Sequence, residues 1–229
     1  MKKYVFGLMF IIFSSGLFAQ EGNKVSGGLY ISPIVGWLKP DSKTVQKDAS
    51  RFGFGFGIPI DFNLTKNLAL STGISFENTG GSLKFLDSVP SFEAVDSTYI
   101  LKKGSIVNYK TQFIEIPISF KGKTNEIGYI TYFLKAGISP CFRFKAKGDV
   151  TVSSGDDIKA EVSAFNMGYH IAGGIEYSLG GSTKLLVEAI FTNGLTNFSK
   201  AETIDKPNGT LKREKVIMNS IGLRVGILF

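Results

Sequence analysis

The chain has 229 residues, 43% hydrophobic and 13% aromatic, with 20 Phe, 8 Tyr, 27 Gly and a formal charge of +7. A single Cys and a single His exclude an internal disulfide and most multi-ligand metal sites. The basic balance would suit nucleic acid, but the first residues send the chain away from it.

Lys2 and Lys3 precede an apolar run from Tyr4 to Phe13, and small residues lead to Ala19-Gln20. This is the layout of a secretory signal peptide, expected over residues 1–19, with one domain over 20–229. The apolar run is shorter than the ~20 residues a spanning helix needs. Loss of Lys2 and Lys3 lowers the formal charge from +7 to +5. No cysteine lies near the cut, which argues against a lipid anchor. No later run is long and apolar enough for a helical span.

The remainder reads with period two. In Val25 to Trp37, Leu29, Ile31, Val35 and Trp37 share a face. From Arg51 to Phe62, Phe52, Phe54, Phe56, Ile58, Ile60 and Phe62 alternate with Gly53, Gly55, Gly57, Pro59 and Asp61. Successive strand side chains point to opposite faces, so one face is apolar and the other nearly bare backbone. The pattern returns at Leu68–Glu77, Phe113–Phe120, Tyr129–Phe144, Phe165–Tyr177, Leu185–Gly194 and Ile217–Phe229. That makes eight strands. Three connections are short, around Leu64–Asn67, Gly122–Glu126 and Gly180–Thr183. Four are long and polar: Lys39–Ser50, Asn78–Val107, Ala146–Glu161 and Asn197–Lys215. Leu83, Phe85, Tyr99 and Leu101 are too apolar for free coil, so the flanking strands are expected to continue into Asn78–Val107.

Short turns alternating with long loops fit an all-β, eight-stranded antiparallel up-and-down transmembrane β-barrel, turns and both termini periplasmic and loops outside. The second face is Gly, Ser, Ala and Thr with occasional charges. A soluble barrel exterior would carry many more Lys and Glu, whereas a narrow eight-stranded lumen takes small residues and a few paired charges. Trp37, Phe62, Phe76, Phe120, Tyr129 and Tyr177 lie at strand ends, where interfacial girdles form.

Four segments carry a family resemblance: FGFGIPIDF (Phe54–Phe62), FIEIPISFK (Phe113–Lys121), LVEAIFTNGLTNF (Leu186–Phe198) and the terminal NSIGLRVGILF (Asn219–Phe229). On these the whole mature chain resembles the PorT-like outer-membrane β-barrels, with Ile190 where that family often has a basic residue. The resemblance implies the barrel fold and the cell outer membrane. The member the family is named for is associated with protein secretion machinery.

The inward charges form the candidate site: Glu115 with Lys135 across the fourth and fifth strands, and Glu188 with Arg224 across the last hairpin. An unpaired charge inside a membrane barrel is costly, so these four are expected to form a salt-bridged plug. His170 is expected in the lumen, with Asn166 and Glu176 on its face and Ser139 on the next strand. Some barrels of this size remodel lipid A with a His and a hydroxyl, but no nucleophile motif is present. Cys141 reads as a small lumen residue. Gly53, Gly55 and Gly57 lack the strand-turn-helix context of a phosphate loop and are expected to relieve crowding. Lys200, Lys206, Lys212, Arg213 and Lys215 form a basic final loop, read as solvated.

The expected function is a non-enzymatic outer-membrane barrel, structural or docking, with the link to secretion that the resemblance implies. Its expected partners are outer-membrane lipid and other envelope or secretion proteins, with no cofactor and no nucleic acid. A lipid-modifying enzyme and a narrow channel are the alternatives.

Overall fold

The computed structural model describes residues 24–41, 44–93, 98–150, 153–200, 202–205, 210–213 and 215–229. The expected signal peptide and Lys206 lie outside them. The strands are β1 (Val25–Pro40), β2 (Val45–Asn63), β3 (Leu68–Phe85), β4 (Val89–Glu93), β5 (Thr98–Leu101), β6 (Ile106–Glu115) and β7 (Ile118–Lys123). Then follow β8 (Ile130–Val150), β9 (Ser153–Asp157), β10 (Phe165–Gly180), β11 (Thr183–Gly194), β12 (Glu202–Asp205), β13 (Thr210–Arg213) and β14 (Val216–Leu228).

Eight staves close into an antiparallel ring: β1, β2, β3, the broken stave β6/β7, β8, β10, β11 and β14, which pairs back onto β1. A closed ring leaves no strand edge unpaired. The closing seam is tight, with the Gly27 and Phe229 amides each donating to the other residue's carbonyl at 3.0 and 2.8 Å. The start of β1 and the end of β14 therefore both lie at the end that carries the short turns.

The apolar parity faces outward. Ile31 is 67% exposed, Phe52 72% and Leu134 72%, a surface suited to hydrocarbon rather than water. Aromatic pairs border it at both ends. Tyr129 and Tyr177 sit 6.2 Å apart toward the turns; Trp37–Phe191, Phe76–Phe144 and Phe142–Phe165 sit toward the loops. No helix among the described residues is long and apolar enough to cross a membrane; the crossing is made by strands.

A membrane strand needs about 9–11 residues, yet β8 has 21 and β2 has 19. The surplus forms a second apolar core beyond the band. Leu38, Val45, Leu83, Phe85, Phe92, Val107, Tyr109, Phe113, Ile158, Val162, Phe198 and Val216 are buried there together. This revises the long-loop reading of Lys39–Ser50: β1 runs to Pro40 and β2 starts at Val45. Pairing of Val45 with Phe85 buries apolar residues that a coil would leave in water. The Asn197–Lys215 segment likewise holds the β12–β13 hairpin, and Ala146–Glu161 holds the end of β8 and β9.

The turn after β7 is also placed differently. Ile127 and Ile130 bracket Gly128–Tyr129, with Gly128 at φ +66°, a left-handed value that favours glycine. The hairpin axis thus lies later than Gly122–Glu126, and Lys135 falls opposite Lys121.

Candidate functional site

Parity decides what enters the lumen, and register decides what meets there. Glu188 on β11 lies directly opposite Arg224 on β14, and the Arg224 Nη1 donates to Glu188 Oε1 at 3.2 Å. Lys135 crosses to the other oxygen of Glu188, Oε2, at 2.6 Å. Arg224 Nη2 reaches Glu115 Oε2 at 3.4 Å and Glu77 Oε1 at 3.7 Å. Ser75 donates to Glu115 Oε2 at 2.9 Å. The four expected residues therefore form one chain of ion pairs, but not with the expected partners throughout. Glu115 faces Arg224 rather than Lys135, because the later turn puts Glu115 opposite Cys141, six positions along β8 from Lys135.

The Arg224 guanidinium lies 4.7 Å over the Tyr30 ring. Gly57 makes that possible: a Cβ on it would stand 2.7 Å from the Tyr30 hydroxyl. Glu188 and Glu115 are 1% and 2% exposed, Lys135 8% and Arg224 4%. Charges this buried persist only when paired. Three carboxylates surround two cations here, so Glu77 is the surplus member.

A second ion cluster sits nearer the turns. Lys121 Nζ contacts Asp61 Oδ2 and Glu176 Oε1, both at 2.5 Å, and Lys184 Nζ contacts Glu176 Oε2 at 3.0 Å. Phe133, Leu186 and Leu228 pack together beside it, with the Lys121 ammonium 4.4 Å over the Phe133 ring. Sequence reasoning missed this cluster and Glu77. The signal was present, since Asp61, Glu77, Lys121 and Glu176 all fall on the inward parity of their strands.

His170 is 1% exposed and held between two hydroxyls. Its Nδ1 is 2.7 Å from Ser139 Oγ and its Nε2 is 3.0 Å from Ser119 Oγ. Asn166 donates to the Ser163 carbonyl and Glu176 belongs to the Lys121 cluster, so neither orients the imidazole. Cys141 is free and buried, its thiol 3.5 Å from the Ser139 carbonyl. Among the described residues no group of His, Cys, Asp and Glu is arranged to hold a metal ion. A cavity of about 20 Å³ lies beside Ser119, Lys135, Glu188 and Arg224, space for one water and no more.

The model of the outer membrane protein beta-barrel domain family matches residues 18–200. No curated protein matches. Among solved structures, Ail of Yersinia pestis, in complex with the heparin analogue sucrose octasulfate, is 14% identical, over 90% of this chain and 99% of that one, at TM-score 0.44. The outer membrane protease OmpT of Escherichia coli is 11% identical, over 94% and 99%, at TM-score 0.47. OprG of Pseudomonas aeruginosa is 9% identical, over 90% and 96%, at TM-score 0.46. Likeness at this level carries nothing about activity.

Proposed function

This chain belongs to the outer membrane protein beta-barrel domain family, and from that premise we propose that it is a non-enzymatic envelope protein of the PorT-like branch. Its barrel is a rigid stem, and its loop-end cap is the part that other envelope or secretion proteins dock onto. The short turns, the start of β1 and the end of β14 face the periplasm, as in barrels of even strand number, and the capped end faces outward.

The observation that carries this reading is the filled lumen. The Lys135–Glu188–Arg224–Glu115 chain and the Lys121 cluster occupy the interior in series. A cavity of about 20 Å³ has no room for a substrate. His170 supports the same reading: at 1% exposure, between Ser139 and Ser119, it serves the wall as a cross-link. A catalytic His would need lipid or water within reach. The packed cap is a surface of fixed shape, and recognition in barrels is carried by such loops.

The test is the native size of the protein extracted from outer membrane in mild detergent, run with and without heating. A heat-shifted band within a larger, reproducible assembly is the expected result. A heat-shifted band that is always monomeric removes the docking role. A lipid A mass spectrum altered by deleting the gene removes the non-enzymatic reading.

A further inference from the structure

On one side of the barrel the apolar band ends in a row of closely spaced cations. Along β8 the outward residues Phe142 and Phe144 are 48% and 46% exposed, and the exposed Lys145 and Lys147 follow immediately. Register sets Lys147 directly opposite Lys110 of β6, and Lys145 opposite Gln112. Lys110 in turn lies opposite Gly80 of β3. The Arg51 side chain of β2 lies over that glycine, its Cδ 3.3 Å from where a Cβ would be. The Arg51 Nε is buried without a hydrogen-bond partner.

Like charges directly across a ladder are destabilising, and the acids nearby offset these only in part. Asp149 pairs with Lys110. Asp157, opposite Lys147 on β9, is bound by Lys159, through Nζ at 3.1 Å and through the amide. Among the described residues neither Lys145 nor Lys147 has an ion-pair partner. Arg51, Lys110, Lys145 and Lys147 thus place four cations along this face, with Asp149 on Lys110 as the acid paired within the row.

Directly below, the rings of Phe56, Phe76 and Phe144 are in contact, at 5.1 and 5.4 Å between successive centroids. They run under the same staves, β2, β3 and β8. A cationic row on an aromatic bed matches a ligand with phosphate at one end and acyl chains at the other.

We propose that this face, Arg51, Lys110, Lys145 and Lys147 above Phe56, Phe76 and Phe144, binds a phosphate-bearing lipid of the leaflet at the loop end. The lipid phosphate lies between Lys110 and Lys147 and relieves their repulsion, and its chains lie on the three rings. A free phosphate or sugar phosphate would leave the aromatic bed unused. The inference rests on the membrane placement of the barrel but not on a docking partner.

The probe is bis-phosphorylated lipid A, titrated onto the full barrel in neutral detergent and read by native mass spectrometry. Each lysine near an anionic headgroup contributes roughly fivefold in affinity. K145Q/K147Q should therefore bind about thirtyfold more weakly and K145R/K147R about as well as wild type. Dephosphorylated lipid A should bind like the Gln pair, and inorganic phosphate at equal concentration should displace nothing. K102Q/K103Q, which removes the same charge at a distant turn, should leave binding unchanged. Equal loss in that control, or unchanged binding in K145Q/K147Q, overturns the site. Displacement by inorganic phosphate overturns the lipid as its occupant. If the Gln pair gives no heat-shifted folded band, K147Q alone carries the test with a roughly fivefold loss.

Discussion

Removing the Glu188 carboxylate should be the most damaging single change in the lumen. Glu188 is the shared acceptor of the network, holding Lys135 at 2.6 Å through Oε2 and Arg224 at 3.2 Å through Oε1. In Glu188→Ala, Arg224 keeps Glu115 and Glu77, but Lys135 loses its ion-pair partner. Breaking a buried pair by deleting one partner costs about 3–5 kcal/mol, because the other charge stays buried alone. Replacing both partners with apolar residues of similar size is often neutral or better. Lys135→Met combined with Glu188→Leu should therefore recover most of the loss and leave a net cost under about 2 kcal/mol. Glu77→Gln removes only the surplus acid and should cost less than Glu188→Ala. The assay is urea unfolding in lipid vesicles, followed by the fluorescence of Trp37, the one tryptophan of the chain, with the heat-shifted band as a check on folding. A Glu188→Ala barrel within about 1 kcal/mol of wild type, or a double variant no more stable than Glu188→Ala, would refute the shared-acceptor reasoning.

The loop-end core is held together independently of the lumen ion pairs. Phe198 is fully buried and meets Tyr109 edge-on at 5.7 Å and Phe113 at 6.5 Å. Phe198→Ala should cost the cap about 3–5 kcal/mol and expose the loops to limited proteolysis, while the stem keeps its heat-shifted band. Gly57→Val should disrupt the Tyr30–Arg224 stack, since even a Cβ would stand 2.7 Å from the Tyr30 hydroxyl; slower, less complete refolding into vesicles is the expected readout. At acid pH the rim is the sensitive point. The hydrogen bond from Lys110 to Asp149 holds that carboxyl below the usual range. A depressed carboxylate stabilises the fold above its unfolded-state pKa and loses that contribution as pH falls through its folded-state pKa. The link is solvent-screened and contributes less than about 1 kcal/mol. A carboxyl NMR titration should show Asp149 titrating below free aspartate, and Lys110→Gln should return it upward.

Period two was enough to read the stem from the chain. In Arg51–Phe62 every second residue is apolar, in Phe165–Tyr177 Gly173 alone interrupts the alternation, and a pattern with a two-residue repeat assigns faces without any tertiary knowledge. The inward position of Glu115, Lys135, Glu188 and Arg224 follows from the same parity. Their partners did not follow, because partnership depends on register, and register depends on where the hairpin turns. Moving the turn to Gly128–Tyr129 replaced the expected Glu115–Lys135 pair with Lys135–Glu188, a contact across the lumen between strands that are not neighbours. Lys121 was passed over because it lies at the end of its strand, where membership of the barrel is set by pairing rather than by composition. The cap was only partly legible. Leu83, Phe85 and Leu101 stood out as too apolar for coil, whereas Ile158, Val162 and Phe198 are single apolar residues in polar surroundings. Only their convergence in space makes them a core.

The side chains of the barrel close its own lumen. Single-channel recording of the wild-type barrel in a planar bilayer tests it most directly, because ions report any continuous water path whatever its shape. A lumen filled by the Lys135–Glu188–Arg224–Glu115 chain and the Lys121 cluster gives no current above the bare bilayer. Stable, voltage-supported steps that persist in the wild type and grow in Glu188→Ala would contradict it and make this barrel a narrow channel.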